Sequence, residues 1–429
     1  MAQTLTPQEA AHLIRPVDTI GFGLGPANPH TFLTALGERD DYEDLLLGGA
    51  LFLGLFDLLA KPSVRYHSGF FGPAERFYAA SGSNIEHVPA GFRQFGPVLE
   101  RLCPRVMAVQ ATPPNRDGRV SLSLHFGATL AELHRAAADP DRLLIVETNT
   151  TLPWTYPLDG YDNTLHVDEI DVIIEGDHSA FELPETPGGD IEEQIAAHAL
   201  SLIPEDATLQ TGIGAIPTLI ASRLSEREGG RYGIHSEMLT DGIMRLHKAG
   251  KVTNDTKGIF PGVSVTTFAL GSRELYDWLH ENREVAFAPV DVVNDPSVIS
   301  HNHNFVSING AIMVDLYGQI VADSVDGRQI SGVGGHEDFV AGAELELEDR
   351  SLICLSSVVD VNGVRTSRIV PTLPAGAIVS TPRHHTSIIV TEHGSCDLRG
   401  LTVRQRALAL AEIAHPEFRS ELVQAANSL

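Results

Sequence analysis

The sequence predicts an α/β protein made of two open, mainly parallel-sheet domains. Residues 18–26 (DTIGFGLGP) read as a strand running into a glycine–proline turn, with a helix over 29–39 directly behind it. Residues 207–214 (ATLQTGIG) repeat that arrangement, followed by a helix over 218–224. Pro217 opens the second helix, where its missing N–H costs nothing. Strand, glycine turn and helix form the βα unit of a parallel sheet. A third observation agrees: short, β-branched strands alternate with helical stretches between these two starts, as parallel crossovers require.

The other elements come in order. Residues 7–14 form a helix capped by Thr6. A helix over 130–137 precedes the strand 143–147 (LLIVE), and 171–175 (DVIIE) is another strand. Residues 176–189 are polar and contain proline, the composition of a connection. The expected organisation is an N-terminal domain over 1–185, a linker region over 186–206 and a C-terminal domain over 207–429. Within the last, 263–269 alternates as a strand and Ser272 caps a helix over 273–280. Residues 351–355 and 388–391 are buried strands, and the tail from Thr402 is helical with a break at Pro416.

Bulk properties narrow the function. At 429 residues the chain has room for two or three domains, and 43% hydrophobic residues is ordinary globular composition. Thirty basic against 56 acidic residues leave −26, which argues against nucleic acid or an anionic membrane as partner. Cys103, Cys354 and Cys396 have neither zinc spacing nor the number for a disulfide framework, so a reduced cytoplasm fits. No secretory leader is visible, and the apolar run over 48–59 is too short and interrupted to span a bilayer.

The densest candidate chemistry is at residues 233–242 (GIHSEMLTDG). Leu239, Ile243 and Leu246 fall at i, i+4 and i+7, so a helix begins near Thr240, and Gly250 ends it. Glu237 is thereby expected at a loop-to-helix junction. A carboxylate held there and open to a pocket is a candidate covalent nucleophile; the alternative is a first-turn acid favoured by the helix dipole.

Four further groups are candidates. Gly212, Ile213, Gly214, Ala215 and Ile216 offer backbone N–H groups at a helix start, a cradle for a phosphate or oxyanion, or else a tight turn. Pro217 replaces the third glycine of GxGxxG, which argues against a dinucleotide site. In 331–339 (SGVGGHEDF), Gly332, Gly334 and Gly335 let the backbone approach a ligand, or make a flexible turn. Asn309 offers an amide for a carbonyl, or a turn residue. Glu392 ends a buried strand, where α/β proteins place ligand groups, or is a solvated strand-end acid. His301 with His303, on one strand face, and His384 with His385 are imidazole pairs without a third ligand at metal spacing, so no metal site is expected.

In this order, the phrases GIGAIP (212–217), GIHSEMLTDG (233–242), FALGSRELYDWL (268–279) and PVDVVNDP (289–296) resemble the acetyl-CoA hydrolase/transferase family, of the 4-hydroxybutyrate CoA-transferase type. So do VSIN (306–309), GRQISGVGGHEDF (327–339), SRIVPTL (367–373), TPRH (381–384) and TEHGSCDLRG (391–400). The resemblance implies two α/β domains with the active site between them, and makes Glu237 the catalytic glutamate. It implies that Gly212–Ile216 meets the CoA thioester, with Ile216 and Gly335 N–H as oxyanion donors and Asn309 and Glu392 lining the site. The expected activity is transfer of CoA from a short acyl-CoA to a carboxylate, with no permanently bound cofactor. Acyl-CoA and small carboxylates are the expected partners, and a homodimer the expected assembly. The alternatives are an acyl-CoA hydrolase using the same glutamate and a non-catalytic acyl-CoA-binding protein.

Two departures stand out. His336 occupies a position where the family usually has glutamine. Residues 149–155 (NTTLPWT) carry Trp154 where the family pattern, Asn-x-x-Met-Pro-Arg-Thr, has arginine. An indole offers apolar area and one N–H instead of a bidentate fork. Trp154 therefore either favours a less charged acyl group than a dicarboxylate, or packs the domain interface.

Overall fold

The computed structural model describes residues 2–429, which fall into two compact units. The first combines the chain up to Leu183 with Val265–Val293 and Ile330–Gly334; the second holds Pro184–Ser264, Asn294–Gln329 and Gly335–Leu429.

In the first unit, eight strands form one sheet. Their order is Gln3–Thr4, Val172–Glu175, Leu143–Thr148, Val106–Ala111, Val17–Phe22, Asp44–Gly49, Val64–Ser68 and Ile85–His87, and each recorded pairing is parallel. Ile20, Phe22, Leu45 and Leu47 on the strands bury against Phe32, Leu33 and Leu36 of the helix His30–Gly37. The opening helix, Pro7–Ala11, is fixed by a reciprocal capping box between Thr6 and Glu9.

The second unit orders its strands Gly394–Asp397, Ile388–Thr391, Arg350–Cys354, Phe305–Gly310, Thr208–Thr211 and Gly233–Leu239. The recorded pairings are parallel except for the terminal hairpin of Ile388–Thr391 with Gly394–Asp397. The fold class is therefore as the sequence predicts. Thr208–Thr211 lies between the next strand in the chain, Gly233–Leu239, and the later strand Phe305–Gly310. That reversal of strand order is a topological switch point, the usual place for ligands at the carboxyl edge of a parallel sheet.

Three local expectations change. Residues 186–206 are mainly helix, Asp190–Leu200, belonging to the second unit with Ile195, Ala196 and Ala199 buried. Its apolar positions recur at helical spacing behind the Pro–Gly stretch, which ends before the helix begins. Residues 265–293 group with the first unit, where Val285–Phe287 pairs in parallel with Tyr156–Pro157. His301–His303 lie in a turn ahead of the strand Phe305–Gly310, so they do not share a strand face.

Phe305 and Phe339 are fully buried and stack at 6.2 Å, with the His235 ring 6.4 Å from each. Phe339 belongs to the helix His336–Ala343, so this stack seats that helix on the sheet. Phe339→Ala should cost ~3–5 kcal/mol through lost burial and a cavity. Urea unfolding of the variant would show a lowered midpoint; an unchanged midpoint would mean that the stack does not support the helix.

Candidate active site

Glu237 sits within the strand Gly233–Leu239, not at a loop-to-helix junction. The apolar spacing places the next helix well, since Asp241–Lys248 begins after Thr240 and Gly250 lies just beyond it with φ +68°. What the spacing misses is that the strand extends to Leu239, which fixes Glu237 in extended backbone two residues before the strand ends. The strand pairs with Thr208–Thr211 at Thr208↔Gly233 and Leu209↔Ile234. Further along, the buried Ser236 hydroxyl takes over. It lies 3.2 Å from the Thr211 carbonyl and 2.8 Å from that of Met238, and accepts from Thr211 N–H at 3.4 Å. One side chain thus ties the residue before Glu237 to the residue before Gly212.

The Glu237 carboxyl group is half-buried and enclosed by protein. Asn294, itself fully buried, donates from Nδ2 to Glu237 Oε2 at 2.6 Å. Desolvation is the largest influence on the acid and pushes its pKa up to about 7. The Asn294 hydrogen bond opposes that shift, the negative charge of Asp338 adds to it, and the Gly335 amide opposes it. Gly335 comes so close that a Cβ there would lie 1.9 Å from Glu237 Oε2 and 2.2 Å from Asn294 Nδ2. A larger residue there would push the Glu237 carboxyl group or the Asn294 amide out of place. The Gly335 φ of −94° is ordinary, so the requirement is space rather than backbone freedom.

Gly212 and Gly214 have open space where a Cβ would project, and Ile213 is 52% exposed. Gly214, with φ +117°, is the N-cap of the helix Ala215–Glu226. That helix begins earlier than the sequence suggests, so Pro217 falls inside its first turn instead of opening it. Ala215 and Ile216 therefore supply free-standing amides at the helix start, and Pro217 supplies none.

The remaining candidates are held in different ways. Asn309 Nδ2 donates to Ser307 Oγ at 2.5 Å, and Ser307 donates to Gln210 Oε1 at 2.9 Å. Glu392 is buried, taking hydrogen bonds from Ser357 N–H at 2.8 Å and Ser357 O–H at 2.5 Å. Both residues lie at the carboxyl edge of the same sheet as Glu237, each at the end of its strand. Gly332 belongs to the first unit, where a Cβ would meet the Gly69 carbonyl at 2.6 Å. The Gly334 carbonyl, also in that unit, accepts from Phe92 N–H at 2.9 Å. Burial holds the His336 imidazole neutral, its pKa lowered to about 4, and its buried Nε2 has no hydrogen-bond partner among the described residues. Trp154 is tied through its backbone, N–H to His280 Nδ1 at 3.0 Å and C=O to Glu281 N–H at 2.8 Å.

Asn294 is the residue that sequence reasoning misses. It stands inside PVDVVNDP, but an asparagine before an Asp–Pro helix start reads as a turn residue. Its approach to Glu237, 57 positions away in sequence, arises only once the chain is folded.

Comparison with known proteins identifies the family. Residues 271–426 match the acetyl-CoA hydrolase/transferase C-terminal domain. Over 424 residues the chain is 35% identical to 4-hydroxybutyrate coenzyme A transferase of Clostridium kluyveri, covering 98% of this chain and 96% of that one. It is 34% identical to butyryl-CoA:acetate CoA-transferase of Anaerostipes caccae, covering 98% and 95%. The crystal structure of RipA from Yersinia pestis superposes with a TM-score of 0.90 at 32% identity, covering 99% of this chain and 97% of that one. The chain belongs to the CoA-transferases of the acetyl-CoA hydrolase/transferase family.

A carboxyl group whose pKa is raised in the fold binds more protons folded than unfolded. Its burial therefore lowers stability as pH rises from the ordinary 4.5 through about 7, and the loss is complete above that. Glu237→Gln removes the charge and should melt higher than wild type at pH 8, with the gap closing toward pH 5. Equal melting temperatures across that range would contradict the raised pKa.

Proposed function

We propose that this enzyme moves CoA from a short-chain acyl-CoA to a carboxylate acceptor by ping-pong chemistry on Glu237. The observation that carries the reading is the Glu237 carboxyl group, bonded by Asn294 at 2.6 Å and crowded by the side-chain-free backbone of Gly335. With its pKa about 7, the group is available as an anion at neutral pH, yet is more basic than a free carboxylate.

Glu237 attacks the thioester carbonyl of acyl-CoA, and collapse of the tetrahedral oxyanion expels CoA thiolate and leaves an acyl–glutamyl anhydride. The thiolate then attacks the glutamyl carbonyl. The C–O bond of the anhydride breaks, the free carboxylate leaves, and a glutamyl-CoA thioester remains. An acceptor carboxylate runs the sequence in reverse. Each step passes through an oxyanion, for which the Ile216 and Gly335 amides are the proposed donors. In the resting site Asn294 holds the carboxyl group in place, and its hydrogen bond keeps part of the population ionised.

Gly212–Ile216 is the proposed contact for the thioester end of CoA, with Asn309 and Glu392 shaping the rim, and Gly332 and Gly334 carrying the loop to Gly335. Trp154 is the proposed selector for a less charged acyl group than a dicarboxylate. The division proposed over 1–185 and 207–429 is kept with the exchange of segments described above. We place the enzyme in the cytoplasm as a homodimer; the three cysteines, all free, support a reducing compartment. Among the described residues no helix is long and apolar enough to cross a membrane.

Incubation with acyl-CoA and then borohydride should reduce the glutamyl thioester and mark Glu237 by mass, and Glu237→Gln should abolish both label and turnover. Label at another acid, or full turnover in the glutamine variant, would end the covalent proposal. Hydrolysis without transfer in a water-only control would make water the acceptor. Gly335→Ala places a methyl group against Glu237 and should lower kcat by about 10²-fold or more, as for loss of an oxyanion donor. A well-folded alanine variant with wild-type kcat would remove Gly335 from the mechanism.

A further inference from the structure

The helix His336–Ala343 begins immediately after Gly335, whose carbonyl accepts from Phe339 N–H at 3.1 Å. The position of that first turn therefore sets where the Gly335 amide lies against Glu237. Glu337 occupies the turn, and a first-turn acid needs no more than the helix dipole to explain it. Its side chain, however, reaches away from its own helix. Oε2 accepts from Thr381 Oγ1 at 2.9 Å, and Oε1 is hydrogen-bonded by His385 Nδ1.

Both partners are anchored independently of Glu337. Thr381 is fully buried and forms an antiparallel bridge with Ile320, whose N–H donates to the Thr381 carbonyl at 3.0 Å. The neighbouring Ser380 donates to Asp323 Oδ1 at 2.6 Å, and His385 N–H closes a turn on the Pro382 carbonyl at 2.9 Å. Arg406 donates to the Arg383 carbonyl. The segment 380–385 is thus a fixed post, and Glu337 fastens the helix start to it.

We propose that Glu337, Thr381 and His385 form a clasp that positions the Gly335 amide against Glu237, making all three positioning residues for the reaction. The inference rests on Glu237 and Gly335 having the roles given above. The helix dipole alone accounts for neither of these two hydrogen bonds. A clasp built only for stability would leave the ionisation of Glu237 unchanged. Two groups on the clasped helix act on that ionisation with opposite sign: the Gly335 amide favours the anion and the Asp338 carboxylate disfavours it. A helix start that drifts changes their balance.

The test compares wild type with His385→Phe, Thr381→Val, the double variant, and the conservative Thr381→Ser. These leave the Glu337 charge in place. Glu237 is labelled with a water-soluble carbodiimide between pH 5 and 9 and quantified by peptide mass, a readout that needs no substrate and no transferase activity. Loosening the clasp should shift the labelling midpoint of Glu237 in the double variant and restore it in Thr381→Ser. An upward shift would mark loss of the Gly335 amide, and a downward shift retreat of Asp338. In the transfer assay kcat should fall about tenfold, short of the cost of deleting an oxyanion donor, with KM for acyl-CoA within about twofold. A folded double variant with an unmoved midpoint would overturn the proposal, as would a midpoint that moves equally in Thr381→Ser. If the double variant does not fold, the two single variants carry the same comparison. Loss of transfer in wild type would refute the proposed function while leaving the labelling result to judge the clasp.

Discussion

The arrangement depends on a contact that excludes a side chain. Glu237 Oε2, Asn294 Nδ2 and the α-carbon of Gly335 share a space in which even one methyl group would overlap the other two. Enclosure of that kind is costly for a carboxylate, and a pKa of about 7 expresses the cost. A lysine or arginine in the place of Asn294 would lower that pKa and weaken the group as a nucleophile. The neutral amide of Asn294 holds the carboxyl group at 2.6 Å and only partly offsets the upward shift that burial causes.

The sheet explains how such distant residues converge. Thr208–Thr211, Gly233–Leu239, Phe305–Gly310 and Ile388–Thr391 belong to one sheet and run in parallel, so their carboxyl ends lie along one edge. The Gly212 turn, Glu237, Asn309 and Glu392 are all there. Their side chains are held differently: Glu237 and Asn309 are half-buried, bonded to Asn294 and Ser307, whereas Glu392 is buried against Ser357. An edge rich in polar groups therefore presents a half-open carboxyl group, the proposed nucleophile, among other polar side chains.

Legibility in the sequence tracks the range of the forces involved. The Thr6 cap, the Ser272 cap, the Gly214 turn and the helix after Thr240 depend on neighbours within a few residues, and each is found in the structure. Glu237 is legible as a residue but not as part of a strand, because the pairing that extends its backbone comes from Thr208–Thr211, outside the local pattern. The helix Asp190–Leu200 hides behind a Pro–Gly stretch that reads as connection. Asn294 is beyond local reading altogether: nothing in its neighbours shows that its amide meets an acid 57 residues earlier.

The division of the chain has a consequence for how such a gene can be rearranged. The first unit recruits Val265–Val293 and Ile330–Gly334 from beyond its main run, and the second unit resumes at Asn294 and again at Gly335. Those two return points are the residues that crowd Glu237. A recombination event that joined the front of this gene to the back of a distant relative at residue 185 would leave the first unit with borrowed segments from another lineage. The join would also fix which segments lead into Asn294 and Gly335. Glu237, Asn294 and Gly335, by contrast, would arrive together from the back gene, since all three lie in the second unit beyond the join.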